Sequence, residues 1–181
     1  VFKPAALKVP IESFAGFYTL PALEELNLST MYLIGDLPTG ISKMKSLKSL
    51  SLAGTNIYSL PDDIGELAEN LTALDLRGCQ SLASLGTSFS KLVNLTSLTL
   101  SGCKVLKELP EGFGNLSKLT TLDLSNCEWL ERLSSDFGNL QISSLTLRGC
   151  KLLKEIPESF GNLAKLTSLN FYECTSLEAL P

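Results

Sequence analysis

The chain has 181 residues, a formal net charge of −4 and no histidine. Without histidine it cannot form imidazole-ligated zinc sites or carry out Ser-His or Cys-His catalysis. Its mild acidity, without a basic block, argues against nucleic-acid binding. With 44% hydrophobic residues and 19% charged residues, and with leucine making up about a fifth of the chain, the composition is that of a folded domain. No apolar run approaches the roughly 20 residues of a membrane span.

The N-terminal segment, residues 1–22, does not follow the pattern of the rest of the chain. After Val9 and Pro10, apolar residues recur at a spacing of three: Phe14, Phe17, Leu20 and Leu23. We interpret residues 1–22 as the outer half of a preceding coil, that is, a partial repeat, or as an N-terminal cap.

From residue 23 onward one sequence unit recurs. Its LxxLxL core begins at positions 23, 47, 71, 95, 119, 142 and 166, so the units are evenly spaced except that the sixth begins one position early. The copy over residues 95–118 reads LTSLTLSGCKVLKELPEGFGNLSK. Apolar residues or cysteine occupy its places 1, 4, 6, 9, 12, 15, 19 and 22. An internal period of this length predicts stacked coils.

The pattern within the unit predicts its local structure. Places 4 and 6 alternate with place 5, which indicates a short strand with its leucines facing inward. The later apolar places are three or four residues apart, which favours turns and short helical or 3₁₀ segments. A single coil cannot bury its leucines, whereas stacked coils share one core. We expect an α/β solenoid, a curved arc of about seven coils. Its concave face would be a parallel sheet, and its convex face would carry the short helical or 3₁₀ turns and loops.

The sequence stops within its seventh unit, at residues 180–181. A final coil without a polar cap would expose Phe171, Leu177 and Leu180 to water. We therefore expect residues 23–181 to form one repeat domain within a longer chain.

The residue types at individual places of the unit indicate a family more specifically than the repeat length does. The stretch LTSLTLSGCKVLKELPEGFGNLSKLTTLDLSNCEWLERL has cysteine at place 9, and a Leu-Pro or Ile-Pro pair follows Cys103 and Cys150. It resembles leucine-rich repeats, in particular those of plant intracellular nucleotide-binding disease-resistance receptors with a Toll-type N-terminal domain. The sequence contains no GxxxxGK[ST] phosphate loop. The resemblance therefore concerns the repeat region of such receptors.

All cysteines occupy place 9 of consecutive units: Cys79, Cys103, Cys127, Cys150 and Cys174. Stacking places neighbouring Cα atoms about 5 Å apart, within disulfide range. An odd number in a uniform column is nevertheless a poor disulfide framework. Buried cysteine packs as a small apolar residue with a weak S–H donor. We predict a structural ladder in which each thiol bonds a neighbouring carbonyl; redox function and metal binding are the alternatives.

Charged residues alternate in sign along the stack in three columns. Place 10 holds Lys104, Glu128 and Lys151, place 13 holds Lys107, Glu131 and Lys154, and place 14 holds Glu108, Arg132 and Glu155. Opposite charges on adjacent coils attract weakly at an exposed surface. We predict that these columns fix the register of the coils.

Places 5 and 7 project from the strands on the concave face, the surface that solenoids commonly use for binding. Arginine and tyrosine are frequent hot-spot residues, so we predict Arg77, Arg148 and Tyr172 as anchors. The alternative is a sheet face that is merely solvated. The predicted protein-binding residues of this concave face are Asp75, Arg77, Thr99, Asp123, Ser125, Thr146, Arg148, Asn170 and Tyr172.

Place 11 provides a second candidate surface. Val105, Trp129 and Leu152 follow the cysteine turn in three successive units. We call them the lateral stripe, and an apolar stripe in contact with water commonly marks a protein contact. The alternative is that these side chains fold down to cover the core.

These features predict a recognition domain and not an enzyme. We expect its partner to be another protein or other domains of the same longer chain. We expect no cofactor, metal, nucleic acid, membrane insertion or small-molecule substrate. The resemblance implies the ligand-sensing or autoinhibitory repeat region of an intracellular plant-type immune receptor. The alternative is a stand-alone structural or adaptor subunit of a larger assembly.

The compartment is predicted from the N-terminal segment and from the glycosylation motifs. Residues 1–22 lack the basic-then-apolar layout of a secretory leader, so we expect a cytoplasmic protein. Secretion is the alternative because four Asn-x-Ser/Thr sequons occur, at Asn27, Asn70, Asn94 and Asn115.

Overall fold

The computed structural model describes residue 16 and residues 18–180. The predicted cap or partial repeat at residues 1–22 therefore lies mostly outside the described residues. In the described part, seven strands form one parallel sheet with neighbours in chain order, and two further strands pair separately. The seven strands are β1 (Glu25–Asn27), β3 (Ser49–Ser51), β5 (Ala73–Asp75), β6 (Ser97–Thr99), β7 (Thr121–Asp123), β8 (Ser144–Thr146) and β9 (Ser168–Asn170).

The register of the sheet follows the leucines of place 4. Leu26 lies opposite Leu50, and Leu50 lies opposite Leu74. Because one complete coil separates these partners, every strand places the same position of the unit on the same face. The leucine side chains point into the core, and places 3 and 5 point away from it.

The shorter interval before the sixth unit leaves the register intact, since Leu122 still lies opposite Leu145. The missing residue is absorbed in the return loop. The leucines that follow three of the other 3₁₀ helices, Leu92, Leu116 and Leu163, have ψ angles of 50° to 67°. Leu140 instead has ψ 150°, an extended conformation. One straightened residue thus spans a loop that is one residue shorter.

The outer side of each coil contains only short elements. Strand β2 (Ile34–Gly35) pairs with β4 (Asn56–Ile57), and isolated parallel bridges continue this outer ladder in the later coils. All regular helices in the described part are 3₁₀ helices, because each outer segment is only one or two turns long. They span Ile41–Lys43, Asp62–Leu67, Thr87–Lys91, Phe113–Asn115, Phe137–Asn139 and Glu158–Asn162.

A stack of phenylalanines lines the outer part of the core. The rings of Phe89, Phe113, Phe137 and Phe160 follow one another with centroids 6.1–6.3 Å apart and planes within 6° of parallel. Neighbouring strands of a sheet are only about 4.8 Å apart. The coils are therefore more widely spaced at the rings than at the strands, which bends the solenoid into an arc with the sheet on its concave side.

The last coil is the least buried. Strand β9 is exposed at all three residues. Leu169 is 41% exposed, whereas its partner Leu145 in the preceding coil is fully buried. Leu180 is 66% exposed, while Phe171 and Leu177 are partly buried against the core.

Candidate protein-binding surfaces

The cysteine column lies at the turn that follows each strand. Each thiol donates to the carbonyl of the place-6 leucine in the preceding coil, at sulfur–oxygen distances of 3.1–3.3 Å. Cys79, for example, donates to Leu52 and Cys127 to Leu100. Burial raises the pKa of the Cys150 thiol to about 12, so the neutral form persists. A neutral thiol is a donor and not the thiolate that metals require.

Thr55 occupies the same place in the second coil. Its hydroxyl donates to the Leu52 carbonyl at 2.7 Å and lies 3.6 Å from the Cys79 sulfur. From the second unit onward the place therefore holds a small side chain that donates a hydrogen bond, whereas the first unit has Met31 there.

Two of the three predicted charge columns form ion pairs. Glu128 lies between two lysines, 3.6 Å from Lys104 and 3.0 Å from Lys151. At place 14, Arg132 Nε donates to Glu108 at 2.9 Å.

The prediction of charge pairing at place 13 is wrong, since no ion pair joins these side chains in the described part of the chain. The coils are joined there by their backbones. The Glu131 amide donates to the Lys107 carbonyl at 2.9 Å, and the Lys154 amide donates to the Glu131 carbonyl at 3.3 Å. The three side chains extend into solvent.

On the concave face, the acidic and amide side chains of place 5 close a local turn. Asp75 Oδ1 accepts from the Arg77 amide at 3.0 Å, and Asp123 Oδ1 accepts from both the amide and the hydroxyl of Ser125. Asn170 Oδ1 does the same for the Tyr172 amide at 2.8 Å. These oxygens stabilise the strand ends as Asx turns, a role that the alternation pattern does not reveal.

The predicted anchors differ in their availability. Arg77 pairs with Asp75 at 3.0 Å within the same strand end, so the two predicted residues neutralise one another. Arg148 instead lies over the ring of Tyr172, 5.6 Å from its centroid, and its guanidinium is 3.8 Å from Glu173. Tyr172 is 63% exposed. Two adjacent coils thus present a cation and an aromatic ring together at the C-terminal part of the face.

The other predicted residues of this face lie along its middle. Thr99 and Thr146 are half-buried at the ends of β6 and β8. The hydroxyls of Ser101 and Ser125 are 3.0 Å apart on neighbouring coils. The surface between the anchors is therefore flat and covered with small polar groups.

Sequence reasoning missed one row of the concave face. Place 3 lies on the strands and faces solvent together with place 5, and simple alternation two residues before place 5 could have found it. Its members are Glu25, Ser49, Ala73, Ser97, Thr121, Ser144 and Ser168.

The lateral stripe stands partly in solvent. Trp129 is 49% exposed and Leu152 is 40% exposed, while Val105 is more buried. Their backbones are held in register, because the Trp129 amide donates to Lys104 at 2.9 Å and the Leu152 amide donates to Glu128 at 3.2 Å. The stripe is thus a fixed apolar surface next to the Glu128 ion pairs.

Two of the four sequon amides donate a hydrogen bond from Nδ2 to a backbone carbonyl of another coil. Asn70 Nδ2 donates to the Lys45 carbonyl at 2.6 Å, and Asn94 Nδ2 donates to the Ala68 carbonyl at 2.8 Å. This nitrogen is the atom to which a glycan would be attached. Among the described residues, no helix has the length and apolar character needed to cross a bilayer.

The repeating coils, the parallel sheet and the buried leucine core define a class of protein. The family described as leucine-rich repeat region matches residues 68–180, more than half of the chain. The chain belongs to the leucine-rich repeat family, whose fold generally serves as a non-enzymatic scaffold for binding other proteins.

Two relatives of this chain are plant disease-resistance proteins, which confirms the resemblance. The chain is 46% identical over 67 residues to TMV resistance protein N of Nicotiana glutinosa. It is 38% identical over 77 residues to disease resistance-like protein DSC1 of Arabidopsis thaliana. These matches cover 36% and 40% of this chain but only 6% of each relative.

Solved structures share the fold. The leucine-rich repeat domain of the type III effector XopL is 27% identical, with a TM-score of 0.64, over 91% of this chain and 65% of that one. The Arabidopsis receptor kinase HAESA, solved with the peptide hormone IDA and the co-receptor SERK1, is 23% identical with a TM-score of 0.62. That match covers 96% of this chain and 28% of HAESA.

Proposed function

We propose that this chain is the repeat region of an intracellular plant-type immune receptor and that it recognises a protein without catalysing a reaction. The observation that carries the proposal is the 46% identity to TMV resistance protein N over 67 residues of this chain. In this proposal the natural chain is longer than residues 1–181 and cytoplasmic. It also contains a nucleotide-binding switch domain outside these residues. Within it, residues 23–181 are one repeat domain that either senses a ligand or holds the receptor inactive.

The recognition surface in this proposal is the C-terminal half of the concave face. Arg148 and Tyr172 are its anchors, because they are stacked, exposed and carried by a sheet whose register is fixed by buried leucines. Arg77 contributes less, since its pair with Asp75 at 3.0 Å is closer than the 3.8 Å contact of Arg148 with Glu173. The residues between the anchors are small and polar, so they can form hydrogen bonds with a partner without blocking its approach. The peptide-hormone complex of HAESA supports this use of the fold.

The test is a pair of variants of the natural full-length protein, expressed in leaf tissue. Arg148→Glu combined with Tyr172→Ala removes the anchors, and Lys165→Glu makes the same charge reversal on an exposed return loop. A cell-death response without any trigger would indicate autoinhibition, and a lost response to the trigger would indicate ligand sensing. A double variant that behaves like the wild type in both assays would contradict the proposed surface.

The second candidate function is a stand-alone adaptor subunit. The exposed lateral stripe favours it, because a fixed apolar surface suits a permanent neighbour. The intact mass of the natural polypeptide separates the two functions. A mass close to the 19.5 kDa of this chain favours the adaptor, and a far larger one favours the receptor.

A further inference from the structure

A groove of about 650 Å³ crosses four consecutive coils on the outer side of the solenoid. It lies where the outer ladder passes into the 3₁₀ helices, and its lining includes no residue of the concave face or the lateral stripe. Its lining includes the exposed residues Glu108, Glu111, Arg132 and Glu155, which we call the rim, and the less exposed Pro110 and Pro157, which we call the floor.

The charges of the rim do not balance. Arg132 is bonded to Glu108 at 2.9 Å, so these two compensate one another. Glu111 accepts a hydrogen bond from the neutral hydroxyl of Ser135 at 2.8 Å, and Glu155 is exposed. Among the lining residues three carboxylates face one guanidinium, so the wall of the groove carries a net charge of −2.

The spacing of the rim is fixed by the backbone. Glu108 and Arg132 form a parallel bridge between their coils, and the leucines beneath the groove are buried. Three coil-to-coil steps of about 5 Å give a length of roughly 15 Å, which an extended segment of four or five residues spans. The rim acids are exposed, and among the described residues no acidic cluster has the geometry of a metal site.

We propose that this groove binds an extended polypeptide segment of a partner that carries lysine or arginine opposite Glu111 and Glu155. The negative rim selects the cationic side chains, and the proline-lined floor accommodates the backbone and apolar stems between them. Because the rim is exposed, the contact is weak and sensitive to salt. The groove is a recognition surface in addition to the concave face and the lateral stripe. This proposal does not depend on the receptor function proposed above.

The test uses pentalysine amide as the probe and maps its binding to the complete chain by amide chemical shifts at low salt. The expected result is a saturable shift of residues around positions 108–111, 132–135 and 155–157, with no binding of pentaglutamate. Glu111→Gln combined with Glu155→Gln should weaken binding about five- to tenfold while leaving the melting temperature unchanged.

The matched control removes two charges elsewhere. Glu66 and Glu69 are exposed in and just after the helix Asp62–Leu67, and Glu66→Gln combined with Glu69→Gln should change the affinity less than about twofold. Equal loss of affinity in both double variants would overturn the proposal, because peptide binding would then depend only on the net charge of the protein. Shifts confined to the concave face, or no saturable binding at about 1 mM peptide, would also overturn it.

Discussion

At the scale of single residues, place 9 of the second to seventh units fills a site in the core and donates a hydrogen bond at the same time, while the first unit has Met31 there. The cysteines and Thr55 do both, and the partners are carbonyls that would otherwise lack one of their bonds. This explains how free thiols can recur at this place. It also makes the column sensitive to alkaline pH.

We predict that stability falls as pH rises above the ordinary thiol pKa of 9.0. Burial raises the pKa values of Cys103, Cys127 and Cys150. Between pH 9 and the raised values the unfolded chain releases these protons and the folded chain keeps them. The unfolded state then binds fewer protons, so the free energy of unfolding decreases with pH, by up to about 1.4 kcal/mol per thiol per pH unit.

Urea unfolding at pH 8 and pH 10 measures this slope. The control is the Cys127→Ser variant, in which the hydroxyl keeps a donor and does not titrate in this range. In this variant the free energy of unfolding should decrease less between pH 8 and pH 10 than in the wild type, because one titrating thiol is missing. An identical slope would show that other groups cause the alkaline loss.

At the scale of elements, the 3₁₀ helices pack against one another through glycine. A Cβ atom on Gly138 would collide with the Ser159 carbonyl of the next coil, and one on Gly114 would collide with the Asp136 carbonyl. These obstacles are backbone atoms of a neighbouring helix start and cannot rotate away. The equivalent Gly161 has open space around its Cβ position.

We predict that Gly138→Ala lowers the free energy of unfolding by about 2 kcal/mol or more, because the two coils must separate locally. In the 181-residue chain, where no helix follows Glu158–Asn162 among the described residues to pack on Gly161, Gly161→Ala should change it by less than about 0.5 kcal/mol. Denaturant unfolding of the two variants side by side tests this. Equal effects would mean that close helix packing is not the reason for glycine at this place.

The columns of charge also belong to this scale, since they join one coil to the next. We predict that Glu128→Lys destabilises the protein, because it replaces two attractive contacts with Lys104 and Lys151 by repulsion. The decrease in melting temperature should be larger at low salt than at high salt. Glu131→Lys makes the same charge change without breaking an ion pair and should have the smaller effect. The reverse order would contradict the observed pairing.

At the scale of the whole molecule, the narrow spacing at the sheet and the wider spacing at the phenylalanine stack produce the arc. The arc presents three separate surfaces: the concave face, the lateral stripe and the outer groove. The three surfaces share no residue, so they can be tested independently.

We predict that Trp129→Ala weakens association through the lateral stripe and lowers the free energy of unfolding by no more than about 2 kcal/mol, because only half of the side chain is buried. Sedimentation of the natural protein, alone and with its co-purifying partner, measures association. Val93→Ala, at a return-loop position that is 41% exposed, is the control. If both variants associate like the wild type, the stripe is not an interface.

The sequence alone determined the architecture, because every coil repeats the same constraint. Leucines at places 4 and 6 require a strand with one buried face, and seven copies can bury that face only by stacking. The position of the cysteines, the 3₁₀ segments and the concave face follow from the same repetition. The sequence of a single coil would not have determined how its strand pairs. The repeat period assigns one pairing register to all the strands.

Tertiary structure decided which neighbouring side chains actually meet. Glu128 and Glu131 look equivalent in the sequence, but only Glu128 reaches lysines on both adjacent coils. Asp75 is occupied by Arg77, and an extended Leu140 absorbs the missing residue. These outcomes depend on distances between atoms that lie one full coil apart along the chain. Such distances are set by how the coils pack, which periodicity does not encode.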